Sequence, residues 1–138
     1  MKKLLFPLLL LLALFFSCTK DKDKNLTDTE ELSLIGKWNE ENSMQKYYNK
    51  NGALILTVEN PGVGAIWQFQ ENGSLSIEIP GLSTPPPTPY TIKSTSKVDI
   101  DGMVWEIQNL TRSHVTLFRR DDFLQQDGPV EFFINLAR

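Results

Sequence analysis

The sequence predicts an all-β domain, an antiparallel up-and-down β-barrel of about eight strands. Three observations carry this. From Leu34 onward apolar and polar residues alternate with period two, the pattern of half-buried strands and not the 3.6 period of a helix. The dipeptides Asn51-Gly52, Asn72-Gly73 and Asp101-Gly102 separate alternating runs, and each has the composition of a two-residue type I′ hairpin, whose central residues both need positive φ. Successive hairpins join strands adjacent in the chain, which favours a barrel over a sandwich.

Reading outward from these turns places strands near 35–41, 44–50, 53–59, 65–71, 74–79, 89–94, 96–100, 103–109, 114–120 and 130–138. The alternation is clearest in three of them. Leu75, Ile77 and Ile79 share one face, with Ser74, Ser76 and Glu78 on the other. Met103, Trp105 and Ile107 oppose Val104, Glu106 and Gln108, and Val130, Phe132, Ile134 and Leu136 oppose Glu131, Phe133, Asn135 and Ala137. Between residues 80 and 90, Pro85-Pro86-Pro87 favours polyproline II and cannot join a central strand. It reads as a stiff surface loop, or as a rim over the barrel mouth.

The amino terminus has a different character. Met1-Lys2-Lys3 is followed by an apolar run from Leu4 to Phe16, broken by Pro7. That run is too short to span a membrane, which takes about 20 apolar residues, and its flanks match a secretory signal peptide over residues 1–17. The usual A-x-A cleavage pattern is absent. Phe15-Phe16-Ser17-Cys18 instead resembles the lipobox of bacterial lipoproteins, with Phe16 a departure from the small residue common there. The resemblance implies cleavage before Cys18, a diacylglycerol on its thiol, and anchoring in a bacterial cell envelope, the outer membrane being expected and its face left open. Cys18 is the only cysteine, so it has no intramolecular disulfide partner; acylation would remove that reactive thiol and supply about 0.8 kcal/mol per buried CH₂.

Cleavage there removes Lys2 and Lys3, leaving 12 basic against 17 acidic residues and a net charge of −5. That balance disfavours nucleic acid as a partner, since binding it means neutralising phosphates. Residues 18–31, with their Lys-Asp alternation, bury nothing and read as a solvated tether that averages roughly 20 Å end to end. Lysine and acid directly after the cysteine also resemble the export signals of some Gram-negative surface lipoproteins. Residues 32–138 form the barrel domain.

Leu34-Ile35-Gly36-Lys37-Trp38 stands at the start of the first strand. In a small all-β chain this Gly-x-Trp resembles the lipocalins and their calycin relatives, and the layout as a whole is similar to lipocalin-like domains of bacterial lipoproteins. The resemblance implies that Trp38 closes one end of the barrel, that Gly36 allows the tight entry into the strand, and that an arginine from a late strand packs across the tryptophan. Arg119, Arg120 and Arg138 are the candidates. Alternation places Arg138 with Leu136 and Ile134, Arg119 with Leu117 and Val115, and Arg120 outward.

Catalytic and metal-binding patterns are sparse. His114 is the only histidine, so neither a His/Cys zinc cluster nor an independent Ser-His-Asp site can be assembled without it. Asp99-Ile100-Asp101-Gly102 lacks the further ligands of a calcium loop, and Pro61-Gly62-Val63-Gly64-Ala65 lacks the lysine of a P-loop. Glu40 shares the face of Trp38 and, if buried, would need a partner. No cofactor or metal is expected, and no enzymatic activity. Trp67, Phe69, Tyr90, Trp105 and Phe132 fall on inward faces and are the candidate lining of a pocket for a small apolar ligand. They could equally fill the barrel, in which case the alternative function is binding an envelope protein on the outside.

Overall fold

A computed structural model of the chain describes residues 32–122 and 128–138. The expected signal peptide, Cys18 and the expected tether lie outside the described residues. Those described form nine strands and no helix: β1 (Gly36–Tyr48), β2 (Leu54–Pro61), β3 (Ile66–Phe69), β4 (Ser74–Glu78), β5 (Thr88–Ser94), β6 (Lys97–Ile100), β7 (Met103–Gln108), β8 (His114–Asp121) and β9 (Val130–Ala137). They pair antiparallel in the order β2-β1-β3-β4-β5-β6-β7-β8-β9. β9 also pairs with β1, from Asn39↔Ala137 to Tyr47↔Val130. β1 and β3–β9 therefore close an eight-stranded up-and-down barrel, and β2 lies on it as a ninth strand bonded to β1 alone.

The two strands expected over 35–41 and 44–50 are one strand. The register against β9 slips between Glu40 and Asn42, which makes Glu41 the extra residue of a β-bulge. The bulge resets the alternation. Before it Trp38 faces the core; after it Ser43, Gln45 and Tyr47 pair with Ile134, Phe132 and Val130 on the inward face. A period-two pattern that breaks phase reads as two elements when one is present.

β2 and β3 are the two halves of β1's other neighbour. β2 pairs with Asn42–Tyr48 and β3 with Gly36–Asn39. The connection crosses beside the bulge, where Gly62 N–H donates to the Glu41 carbonyl (2.8 Å) and Glu40 N–H to the Ala65 carbonyl (2.8 Å). A side chain at Gly62 would collide with the carbonyl oxygens of Glu40 and Glu41. Only glycine fits that crossing.

The turns split into two types. Asp101 and Gly102 both have positive φ (52° and 79°), a type I′ hairpin as the dipeptide predicts. In the other two turns only the glycine does, Gly52 at 78° and Gly73 at 80°. There the glycine N–H bonds back to the carbonyl three residues earlier, Asn49 or Gln70, giving type I turns followed by a left-handed residue. The Asn49 side chain accepts from the Asn51 and Ala53 N–H groups (both 2.9 Å) and the Asn72 side chain from Ser74 N–H (3.0 Å). These bonds favour the longer loop.

The core holds Leu34, Trp38, Ala65, Trp67, Phe69, Leu75, Tyr90, Val98, Ile100, Trp105, Val115, Leu117 and Leu136. β2 contributes nothing to it: Leu54, Ile55 and Leu56 are exposed, Ile55 at 61 %. The alternation expected of β2 has no buried face to serve. The proline-rich segment after β4 is exposed over residues 81–87, and β4 meets β5 through only Ser74↔Pro89 and Leu75↔Thr88.

Gly62→Ala is expected to cost about 3 kcal/mol or more by forcing the crossing off the bulge. Gly52→Ala, where nothing lies within 4 Å of the added carbon, is expected to cost only about 1 kcal/mol for the left-handed backbone. Urea unfolding of both variants measures the difference.

Candidate functional site

The barrel interior has two unlike ends. At the end where β1 begins, Trp38 is fully buried (0 % exposed) and its indole N–H donates to the Leu34 carbonyl (2.8 Å). Arg138 lies over its ring, with the guanidinium carbon 4.0 Å from the centroid. The same guanidinium donates to the Ser33 and Ile35 carbonyls (3.2 and 2.6 Å), so both its face and its edge are used. Gly36, at φ 125°, has no side chain to displace it; a Cβ there would stand 3.0 Å from Arg138 Nη2. Of the three candidate arginines, Arg138 is the one across Trp38. Arg120 turns outward and pairs with Asp122 (2.9 Å) and Glu131 (3.5 Å).

Phe69 and Tyr90 belong to this filled end. Gly36↔Phe69 pairing sets Phe69 beside the strand entry. Its ring meets Tyr90 edge-on at 5.1 Å. The Tyr90 hydroxyl donates to the Gln70 carbonyl (2.6 Å), and burial, with a lesser contribution from Glu71, pushes its pKa up. The two rings brace the wall and leave no polar atom free.

Further along the barrel Trp67 pairs with Trp38 across β1 and β3. Its indole N–H donates to Glu40 Oε2 (3.0 Å), so the inward glutamate has a partner from within the fold. Two strands from β1, across β9, Arg119 follows Val115 and Leu117 on β8 and pairs with Phe132. Its guanidinium carbon lies 4.8 Å from the Phe132 ring centroid and 5.0 Å from that of Trp105. Arg119 Nη1 points at the Met103 sulfur, a weak acceptor. Two donors here have no partner: Arg119 Nε and Trp105 Nε1 are both buried and make no hydrogen bond. An orphaned buried donor costs about 1–3 kcal/mol. Trp105 is only 9 % exposed while Met103 beside it is 44 % exposed, so the cluster lies at the barrel mouth.

Of the five residues expected to line a pocket, the structure brings Trp105 and Phe132 together around Arg119, leaves Trp67 on the far wall, and packs Phe69 and Tyr90 into the filled end. Arg119 and Met103 were not foreseen as part of a site. The signal was present for Arg119, because alternation already placed a cation on an inward face of valine and leucine.

His114 is exposed, 2.9 Å from the Ser113 hydroxyl and 3.8 Å from Glu41. No group of three or more His, Cys, Asp or Glu residues that could hold a metal ion occurs among the described residues. The chain matches no protein-family model, and no curated protein matches it in sequence.

The two arginines separate by what their loss should do. Arg138→Met is expected to lower stability by about 2 kcal/mol, through loss of the stack on Trp38 and of two carbonyl bonds. Arg119→Met removes an unpaired cation and is expected to leave stability unchanged or raise it. Parallel denaturant titrations report both.

Proposed function

We propose that this chain is a lipid-anchored protein of the bacterial cell envelope whose lipocalin-like barrel binds a small apolar ligand at its mouth. The observation that carries the ligand reading is the unequal packing of the interior. At the Trp38 end Leu34, Trp38, Phe69 and Leu136 are buried, with Ile107 and Leu110 partly so, whereas at the mouth the inward Ile77, Ile79 and Phe132 are only partly buried and Met103 is exposed. An apolar molecule seated there would cover these side chains at about 25 cal/mol per Å² of surface removed from water. The reading is one of binding at an apolar, partly exposed surface. The anchor reading rests on Cys18 and the apolar run before it.

A second reading, a protein partner on the outer surface, is favoured by β2. Its outer edge is unpaired and carries Leu54-Ile55-Leu56 with no lysine or proline among them to blunt it. Addition of an apolar strand from the partner would complete that edge.

Native mass spectrometry of the purified protein tests the first reading. The expected result is a small organic adduct that solvent extraction releases. A bare mass that stays bare on exposure to fatty acids and sterols would overturn it and favour the partner reading. Cys18→Ser is expected to move the protein from the membrane fraction to the soluble one. Retention in the membrane would overturn the anchor.

A further inference from the structure

Resting on the ligand reading above, we propose that the ligand carries a carboxylate, and that Arg119 and the Trp105 indole receive it. The argument begins from what the chain satisfies by itself. Trp38 and Trp67 both donate to acceptors within the fold, Leu34 O and Glu40 Oε2. The Tyr90 hydroxyl does likewise, Arg138 donates to two carbonyls and Arg120 pairs with two carboxylates. Among the described residues the buried side-chain atoms without a partner are Trp105 Nε1 and Arg119 Nε. Both are donors, and their side chains touch. What is missing at this spot is an acceptor.

The surroundings define the acceptor further. The guanidinium is flanked by the rings of Trp105 and Phe132, so its faces are occupied and its N–H edge is what remains to offer. The flanking rings also hold it in place, so little ordering is left to do on binding. None of the ion pairs Lys93–Asp99, His114–Glu41, Arg120–Asp122 and Arg120–Glu131 involves Arg119. A single unpaired positive charge calls for a single negative one, which a carboxylate supplies and a doubly charged phosphate exceeds. Two carboxylate oxygens can accept from the guanidinium edge and the indole N–H together. The thioether of Met103 and the ring of Phe132 beside them suit an apolar tail. The class of ligand is a short amphiphile with one carboxylate.

The probes are octanoate and 1-octanol, which share a tail and differ in the head. Each is titrated into the protein while the three tryptophan indole N–H resonances are followed by NMR, that of Trp105 being assigned through Trp105→Phe. Octanoate is expected to bind about tenfold more tightly than octanol, the scale of a charge-assisted hydrogen bond, and to shift the Trp105 signal as the N–H acquires its acceptor. Arg119→Met is expected to erase the tenfold preference, octanoate losing about tenfold more affinity than octanol. If Arg119→Met does not fold, Trp105→Phe serves instead, weakening octanoate several-fold more than it weakens octanol. Equal affinity for the two probes would overturn the carboxylate assignment and leave the ligand reading standing. Octanoate preference that survives Arg119→Met would overturn the role of Arg119. Absence of binding by both probes would overturn the carboxylate assignment, and the native-mass adduct then decides the ligand reading separately.

Discussion

Strand β1 is paired along both edges over most of its length, with β9 on one side and β3 then β2 on the other. Closure of the barrel depends on this strand, because the β1–β9 pairing is what turns a row of hairpins into a cylinder. A closed sheet leaves no edge among its eight strands to recruit another chain. Thirteen residues of flat strand could not follow the barrel wall and also carry a hairpin beyond it. The bulge at Glu41 bends the strand, and Gly62 lets the return segment pass directly beside that bend. The geometry of the mouth follows, since residues 43, 45 and 47 face inward only because the bulge reset the phase.

The interior uses one chemical pair twice, to different ends. Arg138 on Trp38 and Arg119 on Trp105 are both guanidinium-over-indole contacts, at 4.0 and 5.0 Å. At the filled end the Trp38 indole and Arg138 Nη2 donate to carbonyls supplied by the strand entry, and the contact acts as a plug. At the mouth, among the described residues, Trp105 Nε1 and Arg119 Nε find no acceptor. The difference lies in the neighbours and not in the residues. Buried polar groups left unpaired cost stability, and such costs concentrate where a fold keeps room for something else.

β2 shows the opposite economy. It is apolar in sequence yet exposed on both faces, because a strand attached to only one neighbour outside the barrel wall has no layer to pack against. Its hairpin is held by β1, by the Asn49 side chain at the turn, and by Gly128, whose backbone passes so close to Tyr48 that a side chain there would collide with the Tyr48 carbonyl. On the outer wall beside it, Lys46 stands 5.0 Å over the Phe133 ring, which in turn meets Phe118. Tyr48 donates to Glu131 (2.8 Å), a bond that with burial raises its pKa.

The sequence by itself determined the class of fold, because the period of two survives in β4, β7, β8 and β9, where one face is buried and the other wet. It also determined the type I′ turn at Asp101-Gly102, where the Asp99 side chain accepts from the Gly102 N–H (2.9 Å), and the inward facing of Trp38, Trp105, Arg119 and Phe132, which follows from alternation alone. Tertiary structure decided the rest. Two expected strands became one because a bulge cannot be told from a turn when both simply shift the phase. Asn51-Gly52 and Asn72-Gly73 took longer loops because the preceding asparagine or the turn asparagine bonds the backbone, a choice between near-equal local energies. Which arginine covers Trp38, and which aromatics brace the wall and which surround an unpaired cation, depended on the order of strands around the cylinder. Period two says only in or out. Position along the barrel axis is set by register, and register is a property of pairs of strands that no single strand contains.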